Sequence, residues 1–244
     1  MRTATSTRHD RGVAVNMRGV VTVLMPGTGS DDDYLRRAFA EPLQQVGAAL
    51  VAVRPDPADL LGSYGDAVET AAARGPIAIG GVSLGAAFGA AWAVANPTRT
   101  VAVLAVLPPW TGAPGDAPAA ASARHTAATL RREGLEAVVA AMRAGSPGWL
   151  ADELERSWRA QWPDLPSAME AAAGFVAPDT AALNRLSAPM GVVGSPDDAV
   201  HPLEVARQWA AAAPRAALRT VTFAEFGSHP EALGAACLAA LADC

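Results

Sequence analysis

Six short apolar runs punctuate the 244-residue chain: VVTVLM (20–25), ALVAVR (49–54), PIAIGGV (76–82), TVAVLAVL (100–107), MGVVGS (190–195) and LRTVTFA (218–224). Alanine- and leucine-rich stretches of helical period lie between them. Strands apolar on both faces and alternating with helices call for a parallel sheet covered on both sides, and this alternation limits the fold more than any other feature. The rhythm breaks once, where about 80 residues without a convincing strand separate Leu107 from the run at 190, far more than an ordinary connection needs. That segment opens with the proline- and glycine-rich PPWTGAPGDAP and continues as four predicted helices, 119–132, 134–144, 148–161 and 165–174. In the third, Leu150, Leu154, Trp158 and Trp162 recur every four residues and fall near one face, which suits either core packing or the wall of a pocket. The expected architecture is α/β, a mostly parallel sheet with helices on both faces, its core formed by residues 1–112 and 188–244 and an inserted helical lid by 113–187.

Composition narrows the function. A hydrophobic fraction of 51% at this length supplies one substantial core rather than two. With a net charge of -5 and no cluster of arginines interleaved with aromatics, nucleic acid is not an expected partner. The chain contains no lysine, which excludes P-loop and Schiff-base lysine chemistry. Cys237 and Cys244, seven apart on one predicted helix, would lie roughly 10 Å apart by the helical rise, beyond disulfide reach. That usage fits a reducing compartment, and the N-terminus lacks the apolar stretch of a signal peptide. No run is long enough to span a membrane, so the expected location is the cytoplasm. Ser30, followed by Asp31, Asp32 and Asp33, reads as the N-cap of the first helix with acids in its first turn rather than as a metal site. Neither a metal nor an organic cofactor is expected.

The run at 76–82 continues as Gly81-Val82-Ser83-Leu84-Gly85 and then as a helix rich in small residues. A strand-to-helix turn tight enough to project the Ser83 hydroxyl above a sheet needs side-chain-free positions two before and two after it, which Gly81 and Gly85 provide. A serine hydroxyl is a weak nucleophile at neutral pH and needs an imidazole to take its proton and a carboxylate to orient that imidazole. Both should come from later strand ends, where ligands bind in open α/β sheets. Asp197 and Asp198 follow the fifth run, and His229 lies between the sixth run and the final helix.

These three motifs, in the order Ser, Asp, His, resemble the α/β-hydrolase superfamily in its serine-esterase branch, across nearly the whole chain apart from the ends and the lid. The resemblance implies Ser83 as nucleophile and His229 as general base. It implies Asp198 as the acid, because Ala199-Val200-His201-Pro202 matches the x-[VI]-x-P that commonly follows it, with Asp197, three after Gly194, as the alternative. His201 is set aside, being close in sequence to its supposed acid and at a variable family position; His125 and His9 are assigned surface or packing roles. An oxyanion hole is expected from the N–H of Leu84 and, in MPGTGSDD, from the N–H of Thr28 with Gly27 close by; Pro26 stands where the family usually has histidine. The family often begins with an antiparallel edge, for which GVAVN (12–16) is the candidate strand.

The implied activity is hydrolysis of a small-molecule carboxylic ester, or of a thioester by the same path, through an acyl-enzyme. A cofactor-free perhydrolase or haloperoxidase uses the same triad and stays open, as does a non-catalytic small-molecule binder. Trp110 and Trp158 are the candidate substrate-pocket residues.

Overall fold

The computed structural model describes residues 15–244. All six runs form strands: β1 (Val21–Met25), β2 (Ala49–Ala52), β3 (Ile77–Val82), β4 (Thr100–Val106), β5 (Met190–Gly194) and β6 (Ala216–Thr220). They make one parallel sheet in the order β2-β1-β3-β4-β5-β6. In the core, α1 (Asp32–Gln45), α2 (Leu60–Ala72), α3 (Leu84–Ala95), α9 (Leu203–Ala212) and α11 (Glu231–Ala242) cover the sheet. Side chains alternate with the pleat. Val23, Ile77, Ile79, Val103 and Val192 pack with Tyr64 of α2, Ala87 of α3 and Trp209 of α9. Leu24, Ala78, Leu104 and Val193 point the other way, to Phe39 of α1 and Leu233 of α11. This is why the central runs read as continuously apolar: both faces of each strand are buried.

The antiparallel edge expected at 12–16 does not form at Val15 and Asn16, which are not in a strand; its first three positions lie outside the described residues. Cys237 and Cys244 are free thiols that donate to the carbonyls of Gly191 and Met190. No helix among the described residues is long and apolar enough to cross a membrane.

Between β4 and β5 the four expected helices are present: α4 (Pro118–Glu133), α5 (Leu135–Gly145), α6 (Gly148–Gln161) and α7 (Leu165–Ala173). A single turn, α8 (Thr180–Leu183), follows them. This insertion has a small core of its own, in which Trp158 packs with Leu130, Val139, Leu165 and Met169. Trp162, the fourth member of the predicted stripe, is instead exposed. Two arginines join the insertion to α1. Glu153 of α6 binds Arg37 of α1 and Arg156 of its own helix, and Arg156 also binds Asp31 and Asp33. The acidic triplet therefore caps and pairs. Asp31, one residue later than the sequence pattern places the cap, accepts the Tyr34 N–H; Asp32 pairs with Arg36 and Asp33 with Arg37.

Candidate active site

Ser83 sits between the end of β3 and the start of α3 with φ 52° and ψ -113°, a region that non-glycine residues rarely occupy and that costs on the order of 1–3 kcal/mol. Two neighbours make this turn possible. A Cβ at Gly81 or at Gly85 would overlap the Met25 carbonyl oxygen, so the elbow can press against β1 only with glycine at both places. Leu107, just past β4, is the other non-glycine residue with positive φ among the described residues, and it also faces the cavity beside Ser83.

The base expected at His229 is not beside the serine. Its side chain is 71% exposed and lies 3.4 Å from Glu231. Beyond Thr220 the chain does not stay extended to 224; Thr222 caps a short helix, α10 (Phe223–Ser228), and His229 ends up at its far terminus. The imidazole that meets Ser83 is His201, whose Nε2 is 2.9 Å from Ser83 Oγ and whose Nδ1 is 2.7 Å from Asp198 Oδ2. The closeness in sequence on which His201 is set aside is what brings it to Asp198. One carboxylate oxygen of Asp198 accepts the N–H groups of Val200 and His201, closing a tight turn that folds the ring back onto the other oxygen. Burial works to raise the Asp198 carboxyl, but the His201 ring and these two N–H groups outweigh it and hold the group below its usual range.

Asp197, the alternative acid, faces elsewhere: it accepts the Ser195 hydroxyl and the Phe223 N–H, tying the loop after β5 to the start of α10. The Phe223 N–H, then the Ser195 hydroxyl, hold its carboxyl below the usual range. Gly27 and Thr28 line the cavity, and a Cβ at Gly27 would lie 3.3 Å from that of Ser83. Leu84 is the first residue of α3, so its N–H is among those a helix leaves without an internal partner. The Gly27 loop is anchored from beneath by the fully buried Tyr64, whose hydroxyl donates to the Pro26 carbonyl at 3.0 Å. Nothing in the sequence pattern distinguishes Tyr64 from other core residues.

The cavity has a volume of about 510 Å³, in the range of small-molecule sites, and runs from Ser83 and His201 to the underside of the insertion. Trp110 and Trp158 both line it. Its other wall escaped the sequence reading: Trp149 of α6 packs against Phe223 and Phe226 of α10, with ring centroids 5.1 and 5.6 Å away.

No protein-family model and no curated protein matches this chain. Solved structures do. The chain is similar to BpoC of Mycobacterium tuberculosis H37Rv at 19% identity and a TM-score of 0.66, covering 96% of this chain and 98% of that one. A hydrolase from Pseudomonas aeruginosa PA01 matches at 20% identity and a TM-score of 0.65, covering 91% and 90%. The enol-lactonase from Burkholderia xenovorans LB400 matches at 16% and 0.61, covering 84% and 83%. Together with the six-stranded parallel sheet, these likenesses show that the chain has the α/β-hydrolase fold.

Proposed function

We propose that this protein is a serine hydrolase that cleaves carboxylic esters through an acyl-enzyme, with Ser83, His201 and Asp198 as the triad. The observation that carries the reading is the continuous Ser83–His201–Asp198 hydrogen-bonded chain on a strained turn that opens into a cavity. His201 Nε2 takes the Ser83 proton as Oγ attacks the substrate carbonyl, and Asp198 holds the ring with Nδ1–H toward itself and stabilises the imidazolium that forms. Charge developing on the carbonyl oxygen meets the N–H of Leu84, at the positive end of the α3 dipole, and the N–H of Thr28 beside Gly27. The imidazolium returns its proton to the leaving alkoxide; water, deprotonated by the same ring, then releases the acid and restores Ser83. Thioesters can follow this path equally, and no step calls for a metal or an organic cofactor. The insertion acts as a lid whose inner surface supplies the apolar wall. The names of two neighbours, a hydrolase and an enol-lactonase, support this class of chemistry.

A fluorophosphonate probe and 4-nitrophenyl butyrate test the reading together. Wild type is expected to be labelled once, at Ser83, and to hydrolyse the ester, while Ser83→Ala does neither. A folded wild type that resists the probe and leaves the ester intact would overturn the acyl-transfer reading and favour a binder.

A further inference from the structure

The cavity beside Ser83 carries information about what can enter it. Among the described residues its charged lining is Glu153, Asp197 and Asp198, with His201 the one potential cation and no guanidinium; the chain has no lysine. Arg37 and Arg156 bind Glu153 but do not themselves line the space. At the exposed rim near Gly145 and Pro147 the neighbouring cation, Arg143, is already bound to Asp152 and Glu155. The remaining wall is largely apolar; the Trp110 indole N–H is used internally, on the Phe175 carbonyl, and that of Trp158 is buried.

We propose that this site accepts uncharged, apolar esters and rejects substrates bearing an anionic group on the portion that enters the cavity. An entering carboxylate would shed its hydration shell and find, among the described residues, no guanidinium in the lining to replace it. The one negative charge the site is arranged to hold is the transient oxyanion, met by backbone N–H groups at the start of α3. The inference rests on the acyl-transfer reading at Ser83 and adds to it the class of substrate.

The test is a matched pair, 4-nitrophenyl methyl adipate and 4-nitrophenyl hydrogen adipate, whose far ends are a methyl ester and a carboxylate. At pH 7 the expected kcat/KM favours the neutral ester by about a hundredfold or more, carried largely by KM. A ratio below about tenfold, or a preference for the acid, overturns this inference and leaves the Ser83 reading standing. Hydrolysis of neither ester by protein that also resists the fluorophosphonate would instead remove the acyl-transfer reading and this inference with it.

Discussion

The loops that follow β5 and β6 each carry a histidine and a proline, yet they do opposite things. After β5, Asp198 and His201 are three residues apart, and the turn that Asp198 makes with the Val200 and His201 N–H groups aims the ring at Ser83. After β6, Thr222 caps α10, and the helix puts Phe223 and Phe226 on the cavity wall while carrying His229 out to solvent. His201 has 16% of its side chain exposed against 71% for His229. An imidazole–carboxylate pair is thus assembled within one loop, while the other loop builds part of the cavity wall. What decides between them is backbone hydrogen bonding local to each loop, not the order of residues along the chain.

Activity should separate the two loops most sharply. His201→Ala is expected to lower kcat/KM for 4-nitrophenyl butyrate by about 10³-fold or more, whereas His229→Ala stays within about twofold of wild type. Equal losses in the two variants would mean that His201 has no special role at Ser83. Asp198→Asn should cost about 10²- to 10⁴-fold in kcat, because the ring loses the acceptor that fixes its tautomer, with KM little changed; a loss confined to KM would show that Asp198 serves only to shape the loop. The smallest effect belongs to Asp197, which joins the two loops rather than acting in either. Its folded-state carboxyl is lowered, so its contribution to stability is present above the unfolded value of about 3.9 and is lost as pH falls through the folded one. The melting temperature of wild type should therefore exceed that of Asp197→Asn at pH 7, with the gap closing below about pH 4. A gap that widens with acid would contradict the assignment.

Much of the scaffold was legible in the sequence because its signals are local and periodic. The sheet strands are apolar on both faces where they are central, and the insertion helices α4 to α7 fall within a residue or so of their predicted bounds. Ser83 was legible for a steric reason, since only glycine at 81 and 85 lets the elbow approach Met25. Asp198 is favoured over Asp197 by the pattern after it, and it is the Asp198 carboxylate that lies 2.7 Å from the His201 ring, not from His229. The imidazole was not legible, because its position depends on where β6 stops: Val221 and Thr222 read as a continuing strand, but the Thr222 hydroxyl accepts the Glu225 N–H and starts a helix instead. An aspartate followed three residues later by histidine in a tight turn was the available signal for His201. Trp149 was missed for a different reason: it lies one residue off the four-residue stripe, and its partners are 74 or more positions away, at Phe223 and Phe226.

The most direct measurement of which ring serves Ser83 is side-chain ¹⁵N NMR of the imidazoles before and after the serine is phosphonylated. The His201 nitrogen signals are expected to move on modification, since Nε2 loses its hydroxyl partner, while those of His229 stay in place. A shift at His229 with His201 unmoved would contradict the His201 assignment.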